Sequence, residues 1–451
     1  MATKSPIPNF ILRSHTTDAT ALCFCNTVPT TTTPTIPTTT TGTPLLPLAK
    51  SLPSSISTLV SGSSDGKLKF WDLETRRVVL ELNQHQGKGI LNIEWNGTHL
   101  ITQGRDGFII TWILSGKVTV QDGLILQATR TATVETGSYT FTKISLVPER
   151  PSLLIAPARN DIFFEMWNLE NQKALVGHCV GRTPEIGGKT GMVMSLKLLW
   201  SEIDTIDAKT GKQTRREIVS AAVGVESGEI GIYIDVFSAC LPGNERIVIS
   251  EEIAVAEEVV EEVEVIQDVK DNQETKETQE TNELDTAKQM STQGFEKSLA
   301  ASILGLTGDN ATWINLHTEP VLCLDVCVDP SNQTEWFGVS GSADTNIGTF
   351  RINTTSGSIV SFETIKIKER GIGDVKIRSD GKIFATAGWD GAIRVFRVKK
   401  LQPLAILRYH EVSVHVIEFG DIQKGSLCSA GKDGKIACWS LYPKKEKKKL
   451  K

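Results

Sequence analysis

No stretch of the 451-residue sequence approaches 18 consecutive apolar residues, so no membrane-spanning helix is expected. The opening residues, Met1 to Phe10, lack the apolar core of a secretory signal. Eight cysteines are too few for a disulfide scaffold at this length. The close ones, Cys23-x-Cys25 and Cys323-x3-Cys327, have the wrong gaps for a zinc knuckle. Cys323 and Cys327 also alternate with Leu and Val, as buried strand residues do. Reduced core cysteines in a cytosolic or nuclear protein are the expectation. Charge of one sign is also missing. Forty-eight Lys and Arg stand against 53 Asp and Glu, a net charge of −5, too mild to make nucleic acid or a membrane the main partner.

What the sequence has is repetition. A small-residue turn is followed by an acidic residue and then, six positions later, by an aromatic one. Asp65 and Trp71 form the clearest copy, in Ser61-Gly-Ser-Ser-Asp-Gly-Lys-Leu-Lys-Phe-Trp71. Asp106 and Trp112, Asp161 and Trp167, Asp344 and Phe350, Asp390 and Phe396, and Asp433 and Trp439 repeat it, with Ser227 and Tyr233 as a weaker copy. The Asp-Gly steps are hairpin turns, and the alternating residues after them are half-buried strands. Successive anchors are 41, 55, 66, 117, 46 and 43 residues apart. The shorter spacings match one four-stranded propeller blade, and the long gap is a blade plus an insertion. The predicted fold is all-β: a single seven-bladed β-propeller spanning residues 1–451.

A closed ring needs its last sheet completed. Little chain follows Trp439 before a lysine tail, but Pro8-Asn-Phe-Ile-Leu-Arg-Ser-His15 matches Pro403-Leu-Ala-Ile-Leu-Arg-Tyr-His410 almost position by position. The first segment is therefore expected to be the outer strand of blade seven, removing two exposed strand edges. Residues 26–57, rich in Thr and Pro, read as an insertion in blade one. Residues 251–300 read as an acidic, disordered insertion between blades four and five. Within it, residues 251–290 hold 14 Asp and Glu against 3 Lys, a local charge of −11 that leaves the rest of the chain at +6. Residues 444–451 form a Lys-rich tail, a candidate for nuclear import.

Motifs that look chemical have structural readings. Gly62-Ser-Ser64-Asp-Gly66 matches a nucleophile elbow, but a strand follows where the elbow needs a helix. Gly187-Gly-Lys-Thr190 lacks the upstream glycine of a phosphate loop, since position 183 is Thr. A His, a hydroxyl, an Asp and a Trp recur as His15, Ser61, Asp65 and Trp71; as His85, Thr102, Asp106 and Trp112; and as His410, Ser429, Asp433 and Trp439. A triad is not repeated three times around one molecule, whereas a hydrogen-bonded network pinning each turn is. In that network the Asp accepts from the His, the His from the hydroxyl, and the hydroxyl from the indole. Ser340 and Thr386 hold the hydroxyl position before Asp344 and Asp390. The residue before each Asp should face outward on one rim, and Arg105, Trp389 and Lys432 there are the candidate partner contacts.

These residues resemble the WD40-repeat family over nearly the whole chain outside the two insertions. Blades three and four depart, with Pro157 and Val223 at the hydroxyl position, and blades four to six replace Trp by Tyr or Phe. Four segments narrow the likeness: Gly104–Trp112, Gly177–Ile186, Gly191–Ser195, and Ala387–Phe396 running on to His410. They are similar to the fungal ASTRA-associated WD-repeat proteins, relatives of the animal G-protein-β-like WD proteins. That resemblance implies a non-catalytic scaffold without cofactor or metal, located in the nucleus with the cytoplasm as a second location. It implies a subunit of an assembly linked to chromatin remodelling and to maturation of PI3-kinase-like proteins. The expected partners are other protein subunits, with no small-molecule substrate, membrane or direct nucleic-acid contact. The alternative is a substrate adaptor of a ubiquitin ligase or another WD scaffold.

Overall fold

The Asp-Gly steps do what their chemistry allows. In the computed structural model, Gly66, Gly107, Gly391 and Gly434 have φ of 82°, 78°, 76° and 66°. The N–H groups of Gly66 and Gly434 each donate to the carbonyl three residues earlier at 3.1 Å. A turn ending in a left-handed glycine matches the twist of the strands it joins. Gly66 has a second reason to lack a side chain: a Cβ there would stand 2.6 Å from the Lys88 carbonyl. The structure describes residues 6–31, 55–119, 123–147, 150–170, 172–179, 191–206, 213–234, 311–329, 332–353, 358–420 and 425–442.

Twenty-eight strands follow one another along the described residues, β1 (Phe10–Arg13) first. Blade one is β2 (Ala19–Thr31), β3 (Ser55–Ser63), β4 (Lys67–Asp72) and β5 (Arg77–Asn83). Blade two is β6 (Ile90–Trp95), β7 (His99–Gly104), β8 (Phe108–Thr119) and β9 (Gly123–Glu135). Blade three is β10 (Ser145–Val147), β11 (Arg150–Pro157), β12 (Phe163–Asn168) and β13 (Lys173–Cys179). Blade four is β14 (Val193–Ile206), β15 (Gln213–Val225), β16 (Glu229–Tyr233) and β17 (Ala311–Asn315). Blade five is β18 (Cys323–Asp329), β19 (Asn332–Gly341), β20 (Asn346–Asn353) and β21 (Ile359–Lys366). Blade six is β22 (Ile372–Ile377), β23 (Ile383–Gly388), β24 (Ala392–Arg397) and β25 (Gln402–Arg408). Blade seven is β26 (Val414–Phe419), β27 (Ser426–Gly431) and β28 (Lys435–Ser440), with β1 as its fourth strand. The β1–β28 register sets Phe10 opposite Cys438 and Arg13 opposite Lys435.

The repeated aromatic has a backbone signature of its own. The pairing of the third and fourth strands slips by one residue at Trp71, Trp112, Trp167, Phe350 and Phe396. Such a bulge sharpens the twist of the outer strands. The core lies between blades rather than within them. Seven clusters of buried side chains occur, one at each junction of adjacent blades. The cluster that joins blade seven to blade one contains Leu12, Leu22, Trp71, Ala430 and Ile436, so the ring is closed. Blades one and two are also tied by a short parallel pairing of Thr30 and Thr31 with Gly116 and Lys117. The middle of the Thr/Pro-rich insertion, the acidic tract 251–300, the lysine tail 444–451 and the Gly187–Thr190 motif lie outside the described residues.

Candidate functional site

The alternation of each blade's second and third strands sends the hydroxyl and the aromatic to one face, and the turn brings the Asp back over them. In blade two, His85 Nδ1 lies 3.0 Å from both Asp106 oxygens and Nε2 lies 2.9 Å from Thr102 Oγ1. The Trp112 indole donates to the same hydroxyl at 3.0 Å. Blade seven repeats this: His410 Nδ1 to Asp433 at 3.0–3.1 Å, Nε2 to Ser429 at 2.9 Å, and Trp439 to Ser429 at 3.2 Å. Both histidines are buried. A buried Asp and His bonded to each other satisfy each other and fix the turn.

Blade one departs from the expected pattern. His15 Nε2 lies 2.7 Å from Ser61 Oγ, and Trp71 donates to Ser61 at 2.8 Å. Asp65, however, accepts from the Ser63 hydroxyl, and His15 Nδ1 is buried without a partner. The Ser63 hydroxyl holds the carboxylate instead, whereas Ser342 in the same place of blade five donates to Glu319 O and leaves Asp344 to His317. Burial, aided by Lys69, drives the His15 pKa down to about 4.

Blade five holds a network that the sequence reading missed. His317 Nδ1 lies 3.2 Å from both Asp344 oxygens, and Nε2 lies 2.8 Å from Ser340 Oγ. Phe350 stands in the Trp position and donates nothing. Blade six solves the same problem differently. Arg394 NH1 and NH2 donate to the two Asp390 oxygens at 3.0 and 2.7 Å, while the Thr386 hydroxyl is buried and unpartnered. Burial raises the Asp390 carboxyl, but the Arg394 bonds outweigh it and hold its pKa below the usual value. In blade three Pro157 offers no hydroxyl, and the Trp167 indole N–H is buried without a partner.

The innermost strands line a narrow central cavity with polar side chains. Many polar side chains around it bond the next blade's backbone. Thr20 Oγ1 donates to Ile90 O at 2.6 Å, Asn92 Nδ2 to Ile144 O at 2.9 Å, and Thr142 Oγ1 to Val193 O at 2.6 Å. Ser195 Oγ donates to Val321 O at 2.8 Å. Asp325 then accepts from Ile377 N–H at 2.7 Å, and Asp374 from Ile417 N–H at 3.0 Å. Six successive junctions, from blade one to blade seven, are stitched this way. Lys197–Asp325 at 2.8 Å, Lys376–Glu418 at 3.3 Å and the cross-ring pair Lys143–Asp374 at 3.4 Å complete the belt. Burial pushes the Glu418 carboxyl up to about 7, against the pull of Lys376. Among the described residues, no three His, Cys, Asp or Glu side chains are placed to hold a metal.

One face of the ring, beside the starts of the innermost strands, carries the residues that precede each Asp. Ser64, Arg105, Asn160, Trp389 and Lys432 are exposed, and Ala343 is half-buried. Their backbones are fixed: Ser64, Arg105, Trp389 and Lys432 donate N–H bonds of 2.8–3.0 Å to Asp18, Gly89, Gly371 and Ser413 carbonyls. Trp389 is 42% exposed and lies against Gly371 and Gly373 of its own blade, where any Cβ on Gly371 would collide with the indole.

Seven blades, turn networks of His, hydroxyl and Asp, and an aromatic at a fixed offset define a seven-bladed β-propeller whose turns resemble those of WD repeats. The WD40 family model, described as "WD domain, G-beta repeat", matches residues 50–72 and 363–397. The chain is similar to the guanine nucleotide-binding protein subunit beta-like protein 1 of Mus musculus, at 26% identity over 97% of each chain. It is similar to the ASTRA-associated protein 1 of Aspergillus flavus at 26% identity over 83% of this chain and 80% of the relative. A shorter likeness, 44% over 79 residues, links it to the ASTRA-associated protein 1 of Schizosaccharomyces pombe, covering 17% of this chain and 21% of the relative. The chain is thus a seven-bladed β-propeller with matches to the WD-repeat model and similarity to ASTRA-associated proteins.

Proposed function

We propose that this chain is a non-catalytic protein-binding scaffold, a nuclear subunit of a multiprotein assembly of the ASTRA type. Such an assembly serves chromatin remodelling and maturation of PI3-kinase-like proteins. The observation that supports a scaffold is the commitment of the polar groups. The histidines and carboxylates that resemble catalytic sets are bonded to one another at the turns, or to the neighbouring blade's backbone around the channel. What remains for chemistry with the outside is the face of the turns, with Arg105, Trp389 and Lys432 facing solvent. The relatives' names support the ASTRA connection.

The test is affinity purification of the tagged full-length chain, with mass spectrometry of what accompanies it and microscopy of its location. Recovery of one stoichiometric set of subunits that contains a PI3-kinase-like protein or its assembly factors, with nuclear signal, supports the reading. Recovery of ubiquitin-ligase subunits instead assigns the chain to the adaptor class. A chain that purifies alone overturns the scaffold reading.

A further inference from the structure

Blade seven holds two thiols face to face. Cys428 on β27 and Cys438 on β28 are directly opposed in register, and their Sγ atoms stand 2.8 Å apart. Both are free and buried, at 2% and 4% exposure. Directly opposed residues of an antiparallel pair have Cα atoms roughly 4.5 or 5.5 Å apart, inside the range a disulfide spans. The two sulfurs can therefore bond with no change of register. Cys23 and Cys25, by contrast, follow one another along β2, and Cys323 and Cys327 along β18.

The row of paired residues continues to both edges of the blade. From the innermost strand outward it reads Glu418, Cys428, Cys438 and Phe10. Both cysteines belong to the cluster that joins blade seven to blade one, and Phe10 packs against that cluster. The Arg76 guanidinium of blade one lies 4.8 Å from the Phe10 ring centroid. The outer cover of the thiols is thus β1, a four-residue edge strand from the opposite end of the chain. With β1 docked, burial and then the contact with Cys438 push the Cys428 thiol well above its ordinary pKa, which suppresses the reactive thiolate. Short edge strands open at lower cost than core strands. We propose that Cys428 and Cys438 form an oxidation site conditional on that opening: silent in the closed ring, and converted to a disulfide by a peroxide once β1 undocks. Cys438, nearer the outer edge, loses its proton and attacks the peroxide O–O bond, giving a sulfenic acid and releasing hydroxide. The Cys428 sulfur then attacks the Cys438 sulfur, so that the S–S bond forms, the S–O bond breaks and a second hydroxide leaves. The two thiol protons convert both hydroxides to water; the thiols are oxidised by two electrons and hydrogen peroxide is reduced by two. The bridge ties β27 to β28 across the turn at Asp433 and holds the hairpin to which β1 must return.

The probe is hydrogen peroxide, added to the full-length chain below its unfolding midpoint. Remaining thiols are then blocked with a maleimide and the peptides read by mass spectrometry. Met192, which is exposed, gauges the oxidant through its sulfoxide. Phe10→Ala keeps the β1 backbone but uncovers Cys438, and should form the 428–438 disulfide about tenfold faster than wild type at equal Met192 oxidation, because modification of a covered group tracks the opened population. Deletion of residues 1–14 should be faster still, and if that chain does not fold, Phe10→Ala decides alone. Adding Cys428→Ser to Phe10→Ala should halt Cys438 at the sulfenic acid, which dimedone traps. No 428–438 disulfide in Phe10→Ala after Met192 has been oxidised would overturn the proposal. Equal rates in wild type and Phe10→Ala would also overturn it, since β1 would then cover nothing. A disulfide that forms only in urea would do the same and leave the pair as plain core. The scaffold reading is untouched by any of these results, since none of them measures partner recovery.

Discussion

Arg394 grips both oxygens of Asp390 from the strand that follows the turn, at 3.0 and 2.7 Å. It does within one hairpin what a histidine from the preceding connection does for Asp106, Asp344 and Asp433. The substitution frees the blade-six hydroxyl from its usual partner and leaves Thr386 Oγ1 buried and unbonded.

That difference reverses the sign of one mutation. Thr386→Val removes a hydroxyl that bonds nothing, so the unfolding midpoint should hold or rise. Thr102→Val strands His85 and the Trp112 indole and should cost about 1–3 kcal/mol. Thermal unfolding of the two variants side by side measures this, and an equal loss in both would refute the blade-six arrangement.

The carboxylates should differ among themselves as well. Asp106→Ala, Asp344→Ala and Asp433→Ala each leave a buried imidazole N–H unpaired and should cost about 1–3 kcal/mol apiece. Asp65→Ala should cost clearly less, because His15 Nδ1 already lacks a partner in the native protein. Denaturant midpoints that rank Asp65 with the other three would contradict the blade-one geometry.

Acid should reach blade one first. The His15 pKa is held at about 4 in the folded protein against an ordinary 6.5. Between those values the unfolded chain binds a proton that the folded chain refuses, so stability falls as pH drops from 6.5 toward 4, by at most roughly 3 kcal/mol. Glu418 and Glu165, raised by burial to about 7, act in the opposite sense, their contribution fading as pH rises from 4.5 to 7. Those two groups are shared with His15→Gln and cancel in the comparison. The stability gap between wild type and His15→Gln should therefore shift against wild type on acidification, and a gap constant with pH would be the contrary result.

Removal of residues 1–14 takes away β1 and exposes β28 along its whole length. The shortened protein should unfold at a lower temperature and self-associate through the open edge. A monomer with an unchanged midpoint would mean that β1 contributes nothing to closure.

The ring, its blade count and its N-terminal closure were legible because each rests on spacing: the turn, the acidic anchor and the aromatic recur in fixed register, and Pro8–His15 copies Pro403–His410. His317 escaped because its distance to the Asp floats. The separations are 21, 23 and 27 residues in blades two, seven and five, set by loop length rather than strand register. A histidine closing an apolar strand, as in Ile314-Asn-Leu-His317, was the available signal. The failure of His15 to meet Asp65 was not legible: Ser63 stands where blades two, six and seven have Gly104, Gly388 and Gly431, but blade five also has a serine there, Ser342, and keeps its His317–Asp344 pair. Nor were the stitches around the channel, because Thr20, Asn92 and Ser195 share a role without sharing a residue type.

The pairing of Phe10 with Cys438 has a consequence for synthesis. The two lie about 430 residues apart, and a ribosome adding roughly 5–20 residues per second needs roughly 20–90 s to cover that distance. Throughout that interval Phe10, Ile11 and Leu12 have been made but have no sheet to join, and six blades can assemble while the ring stays open. The first-made strand is the last to dock. A nascent chain of this protein therefore carries β1 as an unpaired apolar strand while six blades are made, and its yield in the cell should depend on whatever shields that strand until blade seven emerges.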